Sequence, residues 1–145
     1  MFDMWRILAG IVILSVLSIY DIRTRKIPLC GFAAVLAFSL VSLICFRDDS
    51  FMWMDVLLSL IPGFMLIGLG VITEGKVGIG DGIIVAELGL ALGFEKCVYM
   101  LTGALILNCI FAGVCLMLKK AGPRTRVPFV PFITISMGVI SFAFR

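Results

Sequence analysis

Asp21 and Asp81 are the residues of this chain best placed to do chemistry. Asp21 heads the stretch Asp21-Ile22-Arg23-Thr24-Arg25-Lys26-Ile27-Pro28, where one apolar run gives way to basic residues. Asp81 closes Gly78-Ile79-Gly80-Asp81, where another apolar run begins. Two carboxylates that meet in space share a proton and activate water. The chain contains no histidine. That removes the usual Ser-His and Cys-His nucleophiles and the H-E-x-x-H zinc site, so a hydrolase built from this sequence would work through carboxylates. No metal and no cofactor is expected.

Each acid also has a plainer explanation. An aspartate beside Arg23 and Arg25 reads, by itself, as a solvated charge next to a membrane. A G-x-G-D stretch reads, by itself, as a glycine turn ended by a helix-capping aspartate. Gly78 and Gly80 also let a backbone approach closely, as a cleft holding an extended peptide beside its acid requires. The pairing of two acids on one membrane side favours the functional reading.

Glu87 is the third acid of interest, deep within Ile83-Ile84-Val85-Ala86-Glu87-Leu88. A charge this far into an apolar segment costs a few kcal/mol, so it should face the bundle interior or water. Its offset from Asp81 turns a helix by about 240°, which puts it on another face and makes it a poor partner for Asp81. It is read as a protonated, hydrogen-bonded interior group. Thr102 and Asn108 are read as hydrogen-bonding glue between helices.

The elements that must position these acids are membrane helices. Of the 145 residues, 62% are hydrophobic and 14% charged, about half the charged fraction of a soluble domain. Six apolar runs, at about 4–20, 27–46, 51–73, 81–94, 97–118 and 128–144, predict an all-α, polytopic bundle of six transmembrane helices forming one membrane-embedded domain over 1–145. A helix needs about 20 residues to cross the hydrocarbon core, so the fourth is short, and the Gly78-Ile79-Gly80-Asp81 loop is expected to dip into the membrane face. Pro62-Gly63 predicts a kink in the third.

Basic residues give the orientation. Arg23, Arg25, Lys26, Lys76, Lys119, Lys120, Arg124 and Arg126 fall on one side, against Arg6, Arg47, Lys96 and Arg145 on the other. The positive-inside rule then places both termini outside and the basic loops in the cytoplasm. Trp5 and Trp53 fall at outer span ends, as interface anchors. Two spans separate Asp21 from Asp81, so both acids lie on the cytoplasmic side. The net charge of +3 is too small and scattered for nucleic acid, and the basic loops instead suit anionic lipid headgroups. The five cysteines show no C-x-x-C spacing and read as small hydrophobes. The N-terminus does not read as a cleaved signal peptide.

On these residues the chain resembles the type IV prepilin peptidases, membrane aspartyl proteases of the GxGD class. Asp21 with its basic stretch and Ile27-Pro28, the Gly78-Ile79-Gly80-Asp81 motif, and Pro128-Phe129-Val130-Pro131-Phe132 at the last span (similar to the family's Pro-Phe-x-Pro-Phe segment) carry the likeness. The resemblance implies that Asp21 and Asp81 are the catalytic pair, and that Gly78, Gly80, Pro128, Phe129, Pro131 and Phe132 are motif or substrate-contact positions. It further implies prepilin or pseudopilin substrates, cut at the cytoplasmic face of the cell membrane between a basic leader and a hydrophobic helix. Leu29 stands where the family often has Asn, and Ile83 or Ile84 where it often has Lys. The four-cysteine segment of the family's long forms, and with it N-methylation, is not expected. The alternatives are another GxGD protease (a preflagellin or presenilin-like peptidase) and a small proton-coupled carrier using Asp81 and Glu87.

Overall fold

A computed structural model describes residues 2–24, 28–45, 53–73, 78–118 and 128–143. Those residues form six helices: α1 (Phe2–Thr24), α2 (Leu29–Cys45), α3 (Trp53–Ile72), α4 (Ile79–Leu92), α5 (Phe94–Met117) and α6 (Val130–Ala143). The all-α membrane bundle expected from the apolar runs is the observed architecture. Three stretches, Ile7–Thr24, Met54–Ile72 and Phe94–Met117, are long and apolar enough to cross a membrane. Within the described residues α2 and α6 have 17 and 14 residues, while α4, flanked on both sides by described residues, has 14 and falls short of the roughly 20 needed. The shortness of α4 was expected.

The helix ends differ from the sequence reading in a consequential way. α1 continues past the end of its apolar run to Thr24, so Asp21 sits in a helical last turn and not at the head of a loop. α4 begins at Ile79, with Gly78 as its N-cap, so Asp81 belongs to a first helical turn. The amides of Asp81 and Gly82 bond back to the Gly78 carbonyl at 3.1 and 3.4 Å. Pro62 lies inside α3, which remains one helix from Trp53 to Ile72. Arg25, Lys26, Arg47, Lys76, Lys119, Lys120, Arg124, Arg126 and Arg145 lie outside the described residues, as do the side chains of Trp5, Arg6 and Trp53.

α4 is the central element, packed on α3, α2 and α5, while α1 packs on α6 and α2. The α3–α4 contact is close because it is lined by glycine. A Cβ on Gly63 would strike the backbone of Ala86, one on Gly82 would lie 2.8 Å from the Ile67 nitrogen, and one on Gly89 would strike the Ser59 carbonyl. Gly82, Ala86 and Gly89 form one stripe of α4 at helical spacing. Small residues at such positions let membrane helices approach closely enough for dispersion to hold them. Leu14, Ile84, Leu88, Met100, Ile133 and Met137 fill the core around it. Gly93, at φ 82°, turns the chain directly from α4 into α5, in a region of backbone space that is open to glycine.

Hydrogen bonds between helices come from residues other than those expected. Thr102 bonds within its own helix, to the Val98 carbonyl at 2.8 Å, and is exposed. The Asn108 Oδ1 is buried and meets no partner among the described residues. The α5–α6 link is made by Ser136, whose hydroxyl donates to the Met100 carbonyl at 2.7 Å and abuts Gly103. The Cys97 thiol reaches the Val85 carbonyl at 3.7 Å, joining α5 to α4. The four cysteines whose side chains are described are free.

Candidate active site

Asp21 and Asp81 lie at the same end of the bundle. Asp21 is 6% exposed, Asp81 is half-buried, and the two carboxyl groups lie within electrostatic range of each other. Their helices are not principal packing partners. α1 reaches this end on α6 and α2, and α4 on α3, α2 and α5, so the acids converge because the bundle brings their ends together.

The start of α6 holds Asp21. The backbone amides of Phe129 and Val130 donate hydrogen bonds to its carboxylate. Counting the donors at this helix end explains why. The first amides of any helix lack partners within it. Here Phe129 acts as the N-cap, its carbonyl accepting from Phe132 at 3.0 Å and from Ile133 at 3.3 Å. Pro131 has no N–H, and Phe132 has turned back on Phe129, which leaves the amides of Phe129 and Val130. Phe129 and Val130 are 8% and 0% exposed, so water is a poor substitute. An acid from another helix takes the place of the usual capping side chain, and the positive end of the helix dipole favours its negative charge. Asp21 Oδ2 is buried and has no hydrogen-bond partner among the described residues.

Asp81 is positioned locally. Its carboxylate folds back over its own N-cap, where a Cβ on Gly78 would collide with Oδ2 and lie 3.1 Å from Cγ. Gly78 is exposed and extended, at φ −67° and ψ 115°. That conformation is open to any residue, so the carboxylate and not the backbone is what calls for glycine here. Gly80 occupies the same first turn and is partly buried.

The remaining candidates are distributed around this end. Phe132 makes a tilted ring contact with Phe111 of α5, centroids 5.5 Å apart, which fixes the α6 entrance against its neighbour. Pro128 and Pro131 are partly buried at the same entrance. Glu87 lies on α4 away from this end and is 8% exposed. It is interior, as expected, and its Oε2 has no hydrogen-bond partner among the described residues. No cluster of three or more metal-ligating side chains occurs among the described residues.

The type IV leader peptidase family model matches residues 8–117. The chain belongs to that family. The match contains both aspartates and the Gly78–Asp81 motif and ends before the Pro128-Phe129-Val130-Pro131-Phe132 segment. Comparison with curated proteins and with solved structures gave no match. The family makes this chain a membrane peptidase of the leader-peptidase type.

The sequence reading missed two features of the site. One is the pair of backbone amides on Asp21, which no residue type announces. The other is the dependence of Gly78 on Asp81, which the G-x-G-D spacing hinted at without saying which group needed the room.

Proposed function

We propose that this protein is a membrane aspartyl endopeptidase that removes the leader of prepilins or pilin-like proteins at the cytoplasmic face of the cell membrane. The observation that carries the reading is the convergence of Asp21 and Asp81 from two different helices in a chain of the leader peptidase family. The absence of histidine supports carboxylate chemistry.

In the reaction, one carboxylate takes a proton from water as its oxygen attacks the scissile carbonyl carbon. The other, protonated, gives its proton to the carbonyl oxygen, and a neutral gem-diol forms. The first acid then passes its new proton to the amide nitrogen as the C–N bond breaks. The second recovers a proton from a gem-diol hydroxyl, and the pair returns to its starting state. Two close carboxylates hold a single proton readily because both resist ionising together.

The position of the two acids supports this substrate class. Both acids occupy helix ends and not helix middles, and the loops at that end carry the basic excess. A bond presented there lies where a basic leader meets a hydrophobic helix. The test is co-expression with a reporter carrying a short basic leader ahead of an apolar helix. Wild type should give one new N-terminus at that boundary by mass spectrometry. Asp21→Asn and Asp81→Asn should each give none while remaining inserted at normal abundance, since asparagine keeps a carbonyl acceptor but cannot act as acid or base. Cleavage by either variant would remove that aspartate from the mechanism, and a cut deep within the helix would favour a presenilin-like reading.

A further inference from the structure

We infer that the N-terminus of α6 divides the labour of the two acids, fixing Asp21 as the carboxylate that activates water and leaving Asp81 to carry the proton. The inference rests on the dyad reading above and deepens it.

The two acids are bonded unequally. Asp21 receives two backbone amides from a buried helix start, whereas Asp81 faces its own exposed N-cap glycine. An N–H donor bonds more strongly to a carboxylate than to a neutral carboxyl group. Two such donors also fix the plane of the carboxylate, and Oδ2 is left buried and unpartnered among the described residues, an acceptor held in reserve for a proton. When Asp21 takes the water proton, the unpartnered Oδ2 can hold it while the amides stay in place, and the geometry survives the transfer. Asp81 then supplies its proton to the carbonyl oxygen, as the balance of the reaction requires.

Among the described residues, few other groups compete for Asp21. α6 and α2 contribute no charged side chain, α4 contributes Asp81, and on α1 itself Arg23 and Tyr20 are exposed. The backbone of Phe129 and Val130 is therefore a positioning element that acts through Asp21.

Val130 offers a way to remove one amide. It is the first residue of α6, where proline is well tolerated, and the preceding N-cap position suits the extended backbone that proline imposes on its neighbour. Val130→Pro deletes the N–H, and Val130→Ala serves as the reference for the lost side chain. In purified full-length enzyme acting on the leader reporter, Val130→Pro should show kcat reduced about tenfold relative to Val130→Ala, with KM little changed. The acid limb of its kcat/KM profile should move up by about one pH unit, as expected when one charge-assisted hydrogen bond to the base is lost. If Val130→Pro does not fold, replacing valine 130 by its α-hydroxy analogue removes the same N–H with the side chain intact, and the same result is expected against wild type. Equal kcat and equal profiles would overturn this inference. They would leave the dyad reading standing, provided Asp21→Asn is inactive.

Discussion

Gly78→Ala should separate activity from stability. The backbone at Gly78 (φ −67°, ψ 115°) already suits alanine, so no dihedral strain arises. The new Cβ would fall on Asp81 Oδ2, 3.1 Å from Cγ but 3.8 Å from the Asp81 Cβ. The last distance is ordinary van der Waals contact, so the helix need not move and only the carboxylate must turn aside. Restoring normal contact displaces Oδ2 by about 1 Å, and a misplacement of that size in a catalytic group costs about 100-fold in rate, or about 2.7 kcal/mol of transition-state stabilisation. Replacing an N-cap glycine by alanine costs under about 1 kcal/mol of stability. Initial rates on the leader reporter should therefore fall by about two orders of magnitude, while the melting temperature in detergent changes little. Activity within threefold of wild type, in a preparation where Asp81→Asn is dead, would refute the claim that Gly78 sets the aim of Asp81.

Two further substitutions test the scaffold and the third acid. Gly89→Ala should do the reverse of Gly78→Ala, because its Cβ meets the Ser59 backbone carbonyl. α3 and α4 must then separate, at a cost of about 1–3 kcal/mol, read as a lowered melting temperature and lower abundance in the membrane. Glu87→Gln should leave leader cleavage within threefold of wild type, since Glu87 is buried on α4 away from the pair. Loss of cleavage in a folded Glu87→Gln protein would instead support a relay through Asp81 and Glu87, as the carrier reading requires.

Much of the fold was legible because membrane insertion leaves a strong one-dimensional signal. A helix that must satisfy its own backbone in lipid needs a long apolar run, and the six runs correspond to the six helices of the described residues. Boundaries were less legible. Composition marks where lipid ends and not where hydrogen bonding ends, so α1 outlasts its apolar run and carries Asp21 as helix, and α4 starts early enough to take in Ile79 and Gly80. Thr102 was misjudged for a related reason. A polar residue in a membrane helix must find a partner, but its own preceding carbonyl competes with a neighbouring helix, and Thr102 took the local bond.

What the sequence determined by itself was the set of available parts: acids without histidine, six apolar runs, and a parity that leaves Asp21 and Asp81 on one side of the membrane. What only the tertiary structure decided was how those parts meet. The approach of the two acids depends on α6 and α2 flanking α1 and on a glycine-lined contact between α3 and α4, and these pairings join residues far apart in the chain. The tie between Asp21 and the α6 start belongs wholly to this level. It is made by main-chain N–H groups, which every residue but proline possesses. Position alone leaves those of Phe129 and Val130 free to bind an acid more than a hundred residues earlier in the chain.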